Sequence, residues 1–374
     1  MKITAAVLDV PGAKPPFAVS RPLRIAELDL EAPRPGELLV RILAAGVCHS
    51  DLSVVTGERP RPAPMALGHE AAAEVLEVGD PAAPFAPGDR VVLAFLPACG
   101  CCETCASGHG FLCADAAKAN GEGRLMRGGR RLAQEAGPVH HHLGVSAFAT
   151  HAVVDQRSAV KISAAVPAEI AALFGCAVLT GVGAVVNAAA VRPGEAVCVY
   201  GLGGVGLSAV LGAIAAGANP VVAIDPMPEK RALALELGAL AAVPPEAAQD
   251  ALREHLPQGA DVVIETVGRA SVLAAAYRAV KRGGRCVTVG LPPPGELLEI
   301  PAVSLVADAK TLMGSYMGSA IPARDIPRYL ALWRAGRLPV ERLLTSINPL
   351  SEINSLLDAL AEGRAVRQIV APEL

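Results

Sequence analysis

Val197-Cys-Val-Tyr-Gly201-Leu-Gly203-Gly204-Val205-Gly206, read together with the Val221-Val-Ala-Ile-Asp225 that follows, decides the fold of this chain. The apolar run before Gly201 predicts a buried strand, and the three spaced glycines open a helix. Asp225 ends the next strand, 19 residues after Gly206. A glycine-rich turn alone is common. Inside one strand–helix–strand unit, with an acidic residue at that distance, it is the fingerprint of dinucleotide binding. Gly201 supplies the tight turn, Gly203 lets the backbone approach a pyrophosphate, and Gly206 lets helix and strand pack closely. Gly204 and Val205 begin the helix whose free N–H groups and positive dipole end suit phosphate. Asp225 is placed to accept hydrogen bonds from the adenosine ribose hydroxyls and to repel a 2′-phosphate, which favours NAD over NADP.

Working outward, apolar strands alternate with helical patterns from about residue 195 to 315. After the glycine loop come a helix over about 205–216, the strand Val221–Ile224, a helix over about 229–237 stopped by Gly238, and the strand Ala241–Val243. Asp261–Ile264, a helix over about 271–280, Arg285–Val289 and Thr311–Met313 complete the series. Strands apolar on both faces, separated by helices, predict a doubly wound parallel sheet of the Rossmann type. The texture before it differs. Residues 1 to about 165 are short alternating stretches such as Glu37–Leu43 and Asp89–Leu93, broken by Pro and Gly, which predicts an irregular β-rich domain. The tail from about 320 returns to helices with interspersed Arg and Glu and ends on a strand candidate at Gln368–Val370.

A length of 374 residues agrees with two domains. Hydrophobic residues at 52% against 18% charged exclude a disordered chain, and 3% aromatics leave a core of Ala, Val and Leu. A net charge of −3 gives no basic footprint, so neither nucleic acid nor an anionic membrane is an expected partner. Two uncharged runs, 170–191 and 205–224, are long enough to span a bilayer but are diluted with Ala and Gly, and are expected to be buried units of the fold. The N-terminal apolar stretch, broken by Asp9 and Pro11, is too short for a secretory signal, so a cytoplasmic location is expected.

Nine cysteines, five of them between positions 99 and 113, read as thiolates held for metal rather than as a disulfide framework. Cys99, Cys102, Cys105 and Cys113 have the spacing of one closed tetrahedral zinc site, whose role is structural because no position is left for a substrate. A register using Cys101 in place of Cys102 is open, at the cost of the paired spacing. Cys198 and Cys286 fall in predicted central strands and are expected to be buried small hydrophobes. Consecutive His140, His141 and His142 alternate faces in an extended segment and do not converge on one ion.

The order of motifs along the chain carries a resemblance. Gly46-Val-Cys48-His49-Ser50-Asp51, Gly68-His69-Glu70, Pro87-Gly88-Asp89-Arg90-Val91, the four-cysteine lobe, Gly175-Cys176 and the glycine loop follow the order found in zinc-dependent alcohol dehydrogenases of the medium-chain dehydrogenase/reductase superfamily. The likeness runs end to end. It includes a segment around 115–140 and the His140-His141-His142-Leu143-Gly144 stretch of the class III-like branch.

The resemblance implies a discontinuous GroES-like catalytic domain (1–177 and 317–374) around a Rossmann domain (178–316). It implies two zinc ions per chain, the second, catalytic one on Cys48, His69 and Cys176. Taken singly, these three also read as a buried thiol, a surface imidazole and a core thiol. Asp51 is implied to orient His69, and Glu70 to be the acidic residue behind the metal. The implied reaction moves a hydride between an alcohol and NAD, or an aldehyde or ketone in reverse, with zinc as Lewis acid and Ser50 passing the proton towards the nicotinamide ribose. Ser53 stands where many relatives carry a relay histidine. Further implied cofactor contacts are Thr180, Lys230, Val267 and Val289, with His49 and Arg367 at the pyrophosphate. Ser50, Phe95, His142, Leu143, Leu291 and Tyr316 are implied to line the substrate pocket. The family also implies a homodimer, or a tetramer, through the Rossmann domains. An alternative substrate is the S-hydroxymethyl adduct of a small thiol, and a further alternative is a dinucleotide-binding structural protein without turnover.

Overall fold

The computed structural model describes residues 1–373, and the chain divides into two units. One comprises Met1–Cys176, Ile321–Pro327 and Leu344–Leu374; the other comprises Ala177–Ala320 and Arg328–Leu343.

The second unit is built on six parallel strands in the order Ala241–Val243, Val221–Ile224, Val197–Tyr200, Ala260–Glu265, Val280–Thr288, Thr311–Gly314. The chain starts at the centre, winds to one edge, then returns past the start and winds to the other. This is the expected doubly wound topology, and it places the carboxyl end of Val197–Tyr200 at the switch point where such sheets bind ligands. The central strands are buried at all but one position because both faces are covered, which is why their sequence is mostly Val, Ile and Ala. Cys198 and Cys286 lie in this core with no exposure.

The helix Gly204–Ala215 begins within the glycine loop. Gly201 has φ +87°, a conformation that L side chains rarely adopt, and a Cβ on Gly206 would run into the Gly201 carbonyl. Gly206 is therefore fixed by the turn itself as much as by helix–strand packing.

The boundary expected at 316/317 falls at 320/321, and the chain then crosses between units twice more. Residues 328–343 belong with the Rossmann unit, tied there by Arg337 Nη2 donating to Ala215 O at 3.0 Å, by the Arg342–Glu236 ion pair and by Asn187 donating to the Tyr329 hydroxyl at 3.3 Å. Charges spread along the helix Pro322–Arg334 gave no hint that the chain changes unit within it.

The first unit contains a closed barrel of five strands, Lys2–Leu8, Leu23–Leu30, Leu132–Gln134, Gly137–His141 and Met65–Ala66. Beside it runs a mainly antiparallel seven-stranded sheet. The long strand Glu37–Val47 is central to that sheet, pairing with Ala71–Val78, His151–Asp155 and Arg367–Val370. The C-terminal strand is thus sewn against residues 45–47, which lead directly to Cys48. Leu38, Val40, Ile42, Val75, Val91 and Leu93 join Ile353, Leu357 and Val370 in one buried cluster, so the discontinuous segment completes the core of this unit.

The uncharged run 170–191 is several short elements: Ala168–Ala172, a single 3₁₀ turn Leu173–Gly175, Ala177–Gly183 and a π-helical turn at Ala184–Ala188. Most of it is buried in the fold. No single helix among the described residues is long and apolar enough to cross a membrane.

Candidate metal centre and dinucleotide site

Three parts of the first unit bring Cys48, His69 and Cys176 together. Cys48 caps the helix His49–Val55 at the end of the long central strand, His69 follows the short strand Met65–Ala66, and Cys176 ends the 3₁₀ turn Leu173–Gly175. The three ligand atoms lie within 4.8 Å of one another, and the side chains are buried.

His69 Nδ1 faces Asp51 Oδ1 at 3.1 Å, leaving Nε2 buried without a hydrogen-bond partner. An orphaned imidazole nitrogen beside two thiols is costly unless something fills the gap. A divalent metal does so: two thiolates and a neutral imidazole balance its charge and leave a fourth position open. Without metal, the charges hold each other. Burial works against a charged His69, but the Asp51 carboxylate and the Cys48 thiolate lift its pKa to about 10. Cys48 is pulled well below an ordinary thiol, first by the hydrogen bond from Cys176 and, against burial, by His69.

Asp51 is the hub. It has no exposure, and its oxygens take the Cys48 N–H at 3.1 Å, the Gly68 N–H at 3.2 Å and His69. Both flanking motifs thereby converge on one carboxylate. Burial opposes its ionisation, yet His69 and His142 hold its pKa below the usual range. Behind the ligands, Glu70 and Arg367 form a buried ion pair. Gly46 makes the room, since a Cβ there would strike the Glu70 carboxylate and come within 2.6 Å of Arg367 Nη2. Arg367, expected at a pyrophosphate, is only 3% exposed in this pairing.

The implied pocket residues of this unit fall around the same centre. The Phe95 ring meets His69 edge-on at 5.5 Å between centroids, and Leu143 is buried. Phe95 is held in turn by Asn120, whose side-chain amide donates to its carbonyl at 2.9 Å. Sequence reasoning missed Asn120, 25 residues away in a helix with no motif of its own. Ser50 is half-buried in the first turn of the helix after Cys48, His49 is exposed, and Ser53 donates its hydroxyl to the Ser50 carbonyl at 3.1 Å. His142 is not an open wall: it is 1% exposed, and its Nδ1 lies 3.2 Å from Asp51 Oδ1. Asp51, His69 and His142 also fall within metal-ligand distance of one another, but Asp51 there is already shared among N–H donors.

The second sulfur cluster brings together the four cysteines grouped by their spacing. Cys99, Cys102, Cys105 and Cys113 converge within 4.8 Å, whereas Cys101 is exposed and lies outside the set. Backbone N–H groups of Cys101 and Cys102 point at Cys99 Sγ at 3.5 and 3.2 Å and lower its pKa. Hydrogen bonding from Thr104 holds Cys102 down to about 6, while burial pushes Cys105 up to about 12. Four such sulfurs can all be thiolates only around a cation.

In the Rossmann unit, Asp225 is 6% exposed and accepts the N–H of Leu202 at 2.7 Å and of Met227 at 2.8 Å. The carboxylate thus stitches the glycine loop to the end of the second strand. A Cβ on Gly203 would meet nothing within 4 Å, so the loop leaves space at the point where a pyrophosphate must approach. Thr180 is buried, Val205, Lys230 and Val289 are half-buried, and Val267, Leu291 and Tyr316 are exposed at 47%, 51% and 37%. Sequence reasoning also missed Glu265, fully buried at the end of its strand. It accepts the N–H groups of Val267 and Gly268 and the Thr288 hydroxyl, each at 2.7 Å, and so fixes the loop carrying Val267.

Two cysteines and a histidine that could hold a metal ion, a lobe of four converging cysteines and a Rossmann unit in one chain are together the features of a zinc-type dehydrogenase. Comparison with known proteins agrees. Residues 34–164 match the alcohol dehydrogenase GroES-like domain, and residues 204–334 match the zinc-binding dehydrogenase family. Geraniol dehydrogenase of Castellaniella defragrans is 38% identical over 357 residues, covering 94% of this chain and 95% of its own. Among solved structures, an alcohol dehydrogenase zinc-binding domain protein from Burkholderia ambifaria is 36% identical with a TM-score of 0.93, and covers 99% of both chains. Benzyl alcohol dehydrogenase from Acinetobacter calcoaceticus is 29% identical with a TM-score of 0.92, also over 99% of both chains. The chain belongs to the zinc-type alcohol dehydrogenases of the medium-chain dehydrogenase/reductase superfamily, and it is an enzyme of the alcohol dehydrogenase type.

Proposed function

We propose that this enzyme oxidises primary alcohols whose carbinol carbon is attached to an aromatic ring or a double bond, using NAD, with one catalytic and one structural zinc. The buried, unpartnered Nε2 of His69 beside Cys48 and Cys176 carries the catalytic assignment. The substrate class is supported by the apolar side chains of Phe95 and Leu143 in the ligand-bearing unit and by relatives named for geraniol and benzyl alcohol.

Zinc, when bound, supplies a Lewis acid that makes an alcohol oxygen more acidic. The chain's own residues prepare for it. Asp51 holds Nδ1 of His69 and so turns Nε2 towards the sulfurs. Glu70 and Arg367 neutralise each other behind the ligands. Ser50 carries the hydroxyl that receives the alcohol proton, and with Ser53 in place of a relay imidazole, water takes it onward. The unit of Met1–Cys176 and its C-terminal segments has the catalytic role, and the Rossmann unit binds the cofactor. Asp225, already tied to the loop, selects NAD by offering its oxygens to ribose hydroxyls and repelling a 2′-phosphate. Leu297, Val303 and Val306, which precede the edge strand Thr311–Gly314 in sequence, are 72–85% exposed, and these apolar side chains together with the free outer edge of that strand support a homodimer through this unit.

The test is a spectrophotometric screen at 340 nm, with benzyl alcohol, geraniol, ethanol, a secondary alcohol and formaldehyde plus a small thiol, each with NAD and with NADP. The first two should exceed ethanol in kcat/KM by about tenfold or more, the least that a single buried methylene contributes, and NAD should be preferred. Preference for the thiol adduct would move the enzyme to the S-hydroxymethyl reading. No turnover of any alcohol would overturn the proposal.

A further inference from the structure

The buried ligand set depends on one carboxylate, and a second histidine reaches the same oxygen as the first. Asp51 Oδ1 takes the Gly68 N–H at 3.2 Å and faces His69 Nδ1 at 3.1 Å and His142 Nδ1 at 3.2 Å. The two rings stand edge to face, 5.5 Å apart at 84°. His142 Nδ1 makes no hydrogen bond of good geometry, and its 3.2 Å contact with Asp51 Oδ1 is a close approach rather than an aligned bond. The attraction is that of an N–H dipole for a buried anion, which is strong where water is excluded.

The backbone around His142 is shaped to deliver this ring. The strand Gly137–His141 ends just before it, and its own N–H is fixed to Ser146 Oγ at 2.9 Å. Leu143 and Ser146 then hold φ of +51° and +55°, a left-handed conformation that non-glycine residues seldom adopt. Strained backbone persists where the surroundings impose it, and here it folds the chain back so that His142 points inward. An aromatic hydrocarbon would fill the same space without reaching for the carboxylate.

We propose that His142 is a positioning residue for the metal centre: its Nδ1–H holds Asp51 Oδ1, and Asp51 in turn holds the His69 ring at the angle the metal requires. The polar ring serves the metal site and not the recognition of a polar substrate. This rests on the reading of Cys48, His69 and Cys176 as zinc ligands.

The experiment compares the native enzyme with His142→Phe and His142→Asn, each loaded with Co²⁺ or Zn²⁺ and challenged with a chelator. Metal release is followed by atomic absorption and by the Co²⁺ d–d bands. Outer partners of metal-bound histidines typically govern metal affinity by about 10- to 100-fold. His142→Phe should release one of its two metals faster by about that factor, with altered d–d bands, while the four-cysteine metal leaves at the native rate. His142→Asn, whose amide N–H sits where Nδ1 does, should restore release to within about threefold of native. Native release from His142→Phe, with only the KM for alcohol changed, would make His142 a substrate wall and overturn the proposal. So would His142→Asn behaving like His142→Phe, because the ring would then be filling space alone. A native protein that takes up only the four-cysteine metal would instead overturn the zinc reading itself.

Discussion

The two sulfur-rich sites of this chain are built in opposite ways. The four-cysteine lobe draws its ligands from 15 consecutive residues in a region of short turns, and three of its four sulfur-bearing residues are half exposed. The set of Cys48, His69 and Cys176 draws on residues up to 128 positions apart, all buried and each anchored by sheet or helix. In the lobe, little besides the metal can order the turns, so metal and local fold are one equilibrium. In the buried set, strands and helices fix the three ligands from separate parts of the unit, so the proposed metal should be needed less for the fold than for the chemistry. Losing metal should therefore cost structure at one site and chemistry at the other.

The largest expected effect probes the chemical half of this contrast. His69→Ala removes one ligand and should lower kcat/KM by about 10³-fold or more, equivalent to ~4 kcal/mol of barrier, with circular dichroism and elution volume unchanged. Loss of fold together with activity would show that the buried set is not preformed. Smaller in effect, Cys105→Ser probes the structural half. It should lower Tm by ~5–10 °C, the scale of about 3 kcal/mol in a domain of this size, and open residues 99–113 to proteolysis while kcat falls only about severalfold. An unchanged Tm would mean that the lobe holds its shape without metal.

The smallest effect concerns pH in the metal-free protein. His69 has a folded pKa of about 10, above its unfolded value. Its proton therefore stabilises the apo fold fully below about pH 6.5 and progressively less as pH rises through 10. Because the Cys48 thiolate that helps lift that pKa is itself held below an ordinary thiol, the proton kept at His69 is offset by the one lost at Cys48 up to about pH 8.5, and apo stability, from urea midpoints, should fall by about 1–2 kcal/mol between there and pH 10. The zinc-loaded protein should lack this slope, because the metal replaces the proton. A slope of the same size in both forms would contradict a metal at His69.

Much of this was legible in the sequence, for identifiable reasons. The Rossmann unit announces itself because strands buried on both faces read as mostly apolar runs, with acidic residues confined to positions near their ends, and because Gly201 and Gly206 answer steric demands that no other residue meets. The lobe is readable because its ligands are neighbours in sequence. The buried set is not readable from spacing at all; only the likeness of motif order pointed to it. The path of residues 328–343 escaped, since nothing within the helix Pro322–Arg334 marks a change of unit. His142 was implied only as a pocket wall, and its approach to Asp51 escaped for a similar reason. It lies 91 residues from Asp51, and in an extended segment its neighbours predict only which face it takes, not what waits there. Asn120 and Glu265 were equally silent, because a buried amide and a buried carboxylate acquire meaning only from the backbone groups they meet.

The most direct measurement is the zinc content of the native enzyme beside His69→Ala and Cys105→Ser. Two independent metal sites predict two zinc ions per native chain and one in each variant. The zinc left in Cys105→Ser should support turnover, and the zinc left in His69→Ala should not. A native chain with one zinc, or a His69→Ala protein that keeps two, would contradict the account.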